Sequence, residues 1–486
     1  MAGEWKTLPV AESPLEIIDG DRGVNYPKQE DFGPSGDCLF LNTGNVTTTG
    51  FNFADRSFIT KEKDAALRKG KLKRHDVVLT TRGTVGNVAL FDDSVHFEEV
   101  RINSGMVLLR ADQSKLLPRF LFQFVRSPLF KEQVAALTTG SAQPQLPIRD
   151  IRRVEIPLPP LAEQKAIAGV LGALDDKIEL NRRMNATLEA MARALFQSWF
   201  IDFDPVRVNM DRNQPSPAAS RHPLPVGEGR GEGASGIDFD PVRAKLDGRT
   251  PVGMDAATAA LFPDSFQESD LGQIPRGWET GSILRQADLL SGGTPKTDVP
   301  AYWNGDVPWA SAKDVSQCGE AFLVSTERTI TAQGVEESST KIIPANATVV
   351  VARGATTGRL TMFGHAMAMN QTCYGLRSKV GSPFALYCNV RHFIERLVQG
   401  GHGSIFDTIT TSTFEATEVL LAPSEVLLAF DKQVTPLFLQ VHANLHQSRT
   451  LATLRDTLLP KLLSGELSVA GALLAAQAGC QHPGGD

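Results

Sequence analysis

Two long stretches of the chain repeat apolar residues at alternating spacings of four and three. The first series is Ile167, Leu171, Leu174, Ile178, Asn181, Asn185, Leu188, Ala192, Leu195 and Trp199. The second is Phe430, Val434, Leu437, Val441, Asn444, Ser448, Leu451, Arg455, Leu458 and Leu462, superposing on the first at a constant offset of 263 residues. Such an alternation, sustained over about four heptads, marks a coiled-coil seam rather than a simple amphipathic face. Asn181 and Asn444 share one seam position, and a polar residue there lowers stability while fixing register and partner. Two long helices are therefore expected, over 161–200 and 424–465. They can pair antiparallel within one chain, or each can pack on its own domain. Proline-containing segments, IPLPPLAEQ (156–164) and LLAPSE (420–425), precede them as helix-start punctuation. Met184, Met191 and Phe196 read as packing residues.

Outside these helices the apolar runs are short and β-rich: VVLTT, NVALF and GMVLL in the first half, ATVVVA, LTMF and TCYGL in the second. The two halves echo each other in order. Arg82-Gly83 recurs as Arg353-Gly354, 271 residues on, and Asn103 recurs as Asn370, 267 residues on. Gly140-Ser141 recurs as Gly403-Ser404, 263 residues on. A drift of a few residues is what small loop insertions produce, so the pattern is a duplicated domain. Each copy reads as strands, then a short helix (116–127 and 383–399). The fold class expected is α+β: two repeated mixed α/β domains, 1–160 and 277–423, joined by two long antiparallel coiled-coil helices.

Between the first helix and the second domain, 201–276 reads as a linker. IDFDPVR occurs twice, at Ile201–Arg207 and Ile237–Arg243. The residues between, 208–236, are rich in Pro, Gly, Ser and Arg and nearly lack large apolar side chains, so they are expected to be disordered. The flanking duplication reads as an insertion into one original IDFDPVR. A disordered tail is expected over 466–486.

Composition changes this picture little. The chain has 486 residues, 42% hydrophobic and 21% charged, an ordinary globular balance. No stretch of 18 apolar residues and no signal peptide is evident, and the five cysteines are scattered without a C-x-x-C pair. A cytoplasmic protein with no membrane association is expected. The net charge of −6 argues mildly against a polyanionic partner. Lys61 to Arg74 is locally basic, however, and reads as either a solvated charged helix or a phosphate-contacting patch. Chemistry is missing: there is no G-x-x-x-x-G-K-[ST], no [DNS]-P-P-[FYW], no G-x-S-x-G and no H-E-x-x-H. His442 and His446 stand four apart without an evident third metal ligand. GEGASG (231–236) matches a dinucleotide fingerprint only formally, since no strand precedes it.

The whole arrangement resembles the specificity subunits of type I restriction-modification systems. The resemblance rests on IPLPPLAEQKAI (156–167), FQSWFIDFDPVR (196–207), FPDSFQESDLGQIPRGW (262–278), SGGTPK (291–296) and KLKRHDVVLTTRGTVG (71–86). His75 stands where that family usually has glycine, PSEV replaces the second PPLAEQ-like helix start, and 208–236 has no family counterpart. The resemblance implies a subunit without catalysis or cofactor of its own. Each domain would read one half of a split, asymmetric double-stranded DNA target. The helices would set the spacing and dock two methyltransferase subunits, which bind S-adenosylmethionine; an ATP-driven restriction-translocase subunit would join them.

Base readout needs polar side chains on loops that reach the major groove. The candidates are Arg22, Asn25, Tyr26, Arg82, Thr84, Ser141 and Gln143 in the first domain, and Lys296, Arg353, Thr356 and Ser404 in the second. The glycines of the same turns serve backbone geometry. Two rivals remain open: a duplicated coiled-coil scaffold that binds no DNA, and a self-contained restriction-methylation enzyme, against which the missing motifs speak.

Overall fold

A computed structural model describes residues 5–137, 145–213, 254–400 and 408–467, with Val469. The chain divides into two compact units, Met1–Glu179 with Ser448–Asp486, and Leu180–Gln447. The central helix Leu161–Phe200 and the C-terminal helix Ser424–Ser464 each give one half to each unit.

In the first unit a four-stranded antiparallel sheet runs in the order Leu15–Asp19, Met106–Ala111, Val77–Thr80, Val88–Leu90. A second sheet orders Phe58–Ile59, Cys38–Leu41 and Val100–Ile102, the last pair parallel. The continuous apolar runs follow from burial on both faces. Val77, Leu79, Val107 and Leu109 face a core that includes Phe120 and Phe124. Their neighbours Val78, Met106 and Leu108 face a core shared with Leu39 and Leu41 of the second sheet. The second unit repeats this plan. Its larger sheet orders Ala287–Ser291, Cys373–Ser378, Thr348–Val351, Leu360–Phe363 and Phe322–Leu323, and Trp303–Ala310 lies parallel to Met367–Met369 in the other. A two-stranded ribbon joins each domain's first and last strands: Thr7–Pro9 with Glu155–Pro157, and Glu279–Ser282 with Glu418–Leu421.

Within each unit the two long helices pack against each other and against the domain. Ile167, Leu171 and Leu174 share a core with Leu458 and Leu462 in the first unit. Ala192, Phe196 and Trp199 share one with Phe430, Val434 and Val441 in the second. Pairing of early residues of one helix with late residues of the other makes the pair antiparallel. Both packing alternatives raised by the periodicity are thus realised together. Every named seam position is buried or half-buried, including Leu188, Leu437 and Leu451. Asn181, Asn185 and Asn444 form a fully buried polar layer. The Asn444 Nδ2 donates to Asn185 Oδ1 at 2.9 Å, Asn181 Nδ2 donates to Gln447 Oε1 at 2.9 Å, and Gln440 Nε2 donates to Asn444 Oδ1 at 2.8 Å. Arg455 leaves the apolar pattern for a stated reason: it meets Asp175 at 2.7 Å, whose other oxygen receives Arg126 and Gln123.

Each long helix also caps the domain helix that packs on it. The Gln164 Oε1 accepts the Leu117 N–H at 2.8 Å, at the start of Pro118–Arg126. In the second unit Asp431 accepts the N–H groups of Phe384 and Ala385, at 3.2 and 2.7 Å, at the start of Pro383–Gly400. Burial pushes the Asp431 carboxyl up to about 6, against the opposing pull of those two donors.

Three expectations need correction. Helix Asp204–Asn213 extends into 208–236, where no structure was expected. Its anchor is Val206, which is fully buried, and Asn209, which donates to the carbonyls of Ala259 and Phe262. The last part of the linker, 254–276, is also folded. Its hairpin Phe266–Ser269 with Gly272–Pro275 belongs to an aromatic cluster of Phe203, Phe266 and Trp278. Finally, Phe196 packs against Phe430, but Met184 and Met191 are exposed. The second IDFDPVR copy, most of 208–236 and nearly all of the tail lie outside the described residues.

Two outcomes are expected. Asn444→Leu should cost about 1–3 kcal/mol, because it leaves the buried Asn185 Oδ1 without its donor; Asn185→Leu with Asn444→Leu should recover part of that, as read by denaturant unfolding. Asp431 favours its neutral form when folded, so its contribution is complete below about pH 4 and lost as pH rises through about 6. Asp431→Asn should remove up to about 3 kcal/mol of that pH-dependent decline, as measured by unfolding between pH 4 and 7.

Candidate nucleic-acid interface

In each domain three chain segments converge at one end of the larger sheet. The first is the exit from the opening strand. There Gly20 lies so close to Asn103 that an added Cβ would stand 2.2 Å from its carbonyl oxygen; at Gly292 the same atom would stand 2.1 Å from the Asn370 oxygen. Only glycine fits such a backbone approach. The second segment is the turn before the last long strand. Its asparagine closes a local turn in both copies: Asn103 Oδ1 accepts Gly105 N at 2.9 Å, and Asn370 Oδ1 accepts the Thr372 hydroxyl at 2.8 Å.

The third segment carries the paired arginines. Strand Val77–Thr80 runs into Arg82, Gly83, Thr84 and Gly86, and strand Thr348–Val351 into Arg353, Gly354, Thr356 and Gly358. All four glycines have positive φ, which closes a tight turn at little steric cost. Arg82 bridges to Gln145, and Arg353 bridges to Thr408, so each arginine is tied to the segment returning from the domain's helices. Arg82, Thr84, Arg353 and Thr356 are exposed. In the first domain Arg22 and Arg82 line one hollow of about 220 Å³ with Asp19, Thr81 and Gln145, floored by Val107, Leu146, Pro147 and Ile148. Arg22 donates to Asp19 at 3.2 Å and to the Ser104 carbonyl at 3.3 Å.

Asn25, Tyr26 and Lys296 lie further along the loops that leave the opening strands. Asn25 is exposed but donates to the Ala66 carbonyl at 3.1 Å, and Tyr26 packs edge-on against Phe40 at 5.9 Å. Both stabilise the loop rather than face outward freely. Lys296 is exposed, and its carbonyl accepts the Trp303 indole N–H at 3.0 Å. Ser141, Gln143 and Ser404 lie outside the described residues. Three of the seven basic residues in the run 61–74 are met by carboxylates. Lys63 pairs with Asp31, Lys71 with Asp64 and Glu99, and Arg74 with Glu98. Only Lys61–Ala66 of it is helical. Burial alone would raise the Asp64 carboxyl, but Lys71 and Arg101 outweigh it and hold the group below the usual range. Sequence reasoning missed Gly20, Gly292, Gln145 and Gln371. The matched asparagines were the available signal, since whatever touches Asn103 has a counterpart touching Asn370.

His442 is not a free surface group: its ring meets the Gly364 carbonyl at 3.0 Å and stands edge-on to Phe322. Among the described residues no group of three or more His, Cys, Asp or Glu could hold a metal ion, and no helix is long and apolar enough to cross a membrane.

Residues 16–190 and again 275–435 match the family model of the type I restriction modification DNA specificity domain, over more than half of the chain. The chain belongs to that family. It is 26% identical over 474 residues to the HindI specificity subunit of Haemophilus influenzae, covering 92% of this chain and 98% of that one. It is 24% identical over 415 residues to the MjaIX specificity subunit of Methanocaldococcus jannaschii, covering 81% and 78%. Among solved structures it is similar to the S subunit of a type I restriction-modification system from M. genitalium, at 14% identity, with coverage of 94% and 96% and a TM-score of 0.47. Type I specificity subunits are non-catalytic DNA-recognition subunits, and this chain is one of them.

Gly292→Ala should destabilise the second domain by about 1–3 kcal/mol, since backbone must move to admit the methyl. Gly83→Ala meets no atom within 4 Å, so only its left-handed φ opposes it, at about 1–2 kcal/mol. Thermal unfolding of both variants checks the order: Gly83→Ala more damaging than Gly292→Ala would contradict the close approach.

Proposed function

We propose that each domain reads one half of a bipartite, asymmetric DNA target through its convergent loops, with Arg82 and Arg353 at matched positions in the two readers. The observation that carries this is the duplication itself. Within a family of DNA specificity subunits, the same glycine-against-asparagine approach and the same bridged arginine occur once per domain. The arginines suit phosphate or guanine, and the exposed threonines beside them suit any base edge. Arg22, Thr84, Lys296 and Thr356 share these loops and complete the proposed contact set.

The long helices then set the distance between half-sites. The central helix has 40 residues, roughly 60 Å at 1.5 Å per residue, against about 34–36 Å for one DNA turn. Their outer faces suit protein partners. Leu180, Met184 and Met191 on the central helix, and Leu428 and Leu439 on the C-terminal helix, are exposed large apolar side chains. Two related helices offer two related surfaces, which fits two methyltransferase subunits, with the restriction-translocase subunit joining that assembly in the cytoplasm. The segment 201–276 stays outside the ruler.

Two deletions test this. Removing 201–236 leaves one IDFDPVR and should preserve the methylated motif and its gap. Deleting one heptad from the central helix shortens its reach by about 10 Å and should shift the gap or abolish methylation. Sequencing methylated sites decides; a gap that follows the first deletion and ignores the second sinks the ruler.

A further inference from the structure

The two domains share a backbone device but differ in what it presents. In the first domain the loop leaving the opening strand sends Arg22 to the carbonyl of Ser104. In the second, the matched loop sends the Thr294 hydroxyl to the Oε1 of Gln371. Ser104 follows Asn103 directly, and Gln371 follows Asn370. These are therefore equivalent contacts made by unlike side chains. Arg82 and Arg353, by contrast, are identical in the two copies. Identical residues in identical places cannot give two halves of an asymmetric target different sequences. The distinction has to come from positions that face the same way but differ.

Gln371 also has the build of a reader. It is exposed at the tip of a turn whose asparagine is closed on the Thr372 hydroxyl. The opposing loop is held from behind. The Gly293 N–H donates to the Met369 carbonyl at 2.9 Å, and the Trp309 and Trp303 indoles donate to the carbonyls of Gly293 and Lys296, both at 3.0 Å. Arg328 lies 3.5 Å over the Trp303 ring and locks the pair. Thr294 is thus a fixed hydroxyl, and it restricts an otherwise floppy glutamine amide. A side chain held by its neighbour loses less freedom on binding, which is what discrimination between bases requires. The amide keeps its Nε2 donors and a further lone pair on Oε1. That combination matches adenine, which shows an N6 donor and an N7 acceptor in the major groove.

We propose that Gln371, positioned by Thr294, is a specificity-determining residue that reads one adenine in the half-site of the second domain, and that in the first domain Arg22, at the position matched to Thr294, presents the differing side chain. This rests on the DNA-reading role proposed above. The test is the methylated motif of the full chain, expressed with its cognate methyltransferase and read by sequencing modified adenines. Gln371→Ala should reduce discrimination at a single base pair of one half-site by roughly 5- to 140-fold and leave every other position unchanged. Gln371→Glu should move the preference at that base pair from adenine to cytosine, whose N4 amino group a carboxylate accepts. Thr294→Val keeps the shape but removes the hydroxyl, and should give a smaller loss at the same base pair. An unchanged motif in Gln371→Ala, or a uniform loss across both half-sites, overturns the assignment. If the wild-type chain directs no sequence-dependent methylation at all, the DNA-reading role fails instead, before any variant is compared.

Discussion

The Asn444 amide reaching Asn185 decides which residue of one long helix lies opposite which residue of the other. Apolar side chains alone specify register weakly, since one apolar residue can replace another at the next turn of the seam. A buried amide fixes it, because a slip would leave its donors and acceptor without partners in a low-dielectric interior. Within each unit the domain packs on the same helix pair. Leu171 and Leu174 share a core with Leu458 and Leu462, and Phe196 and Trp199 share one with Phe430 and Val434. Each such core also holds the helices of the adjoining domain, so helix register and domain packing cannot be changed separately.

The same dependence explains the caps. Gln164 and Asp431 sit on the long helices, yet each satisfies N–H groups at the start of a domain helix. The domain is thereby hydrogen-bonded, as well as packed, to its support. The two solutions differ in cost. Gln164 is neutral and also donates to two carbonyls, of Lys115 and Pro159. Asp431 brings a charge into a buried place and takes on a proton near neutral pH in consequence.

Much of this was legible in the sequence because it is periodic or repeated. The four-three spacing marks both helices, and the matched Arg82 and Arg353 mark the duplication. Repetition is visible at any separation, since it needs only comparison of the chain with itself. What stayed hidden depends on contacts between unlike residues far apart. Gly20 against Asn103, Gln164 against Leu117 and Asp431 against Ala385 leave no periodic trace. The folding of 254–276 was not visible either. Single aromatic residues such as Phe262, Phe266 and Trp278 are sparse in sequence but converge in space on Trp199, Phe200 and Phe203. The basic run could not be read for partners from sequence alone. Lys63, Lys71 and Arg74 look available in sequence, but Asp31, Glu98 and Glu99 arrive from elsewhere, and Asp64 from within the run, to meet them.

The distribution of indoles has an optical consequence. Of the five tryptophans, Trp199, Trp278, Trp303 and Trp309 belong to the second unit, and only Trp5 belongs to the first. Trp199 and Trp278 sit inside an aromatic cluster, and Trp303 and Trp309 back the loop that carries Thr294 and Lys296. Intrinsic fluorescence therefore watches one half of the molecule almost alone. An emission change reports what happens to the second domain, while the first can shift or melt in near silence.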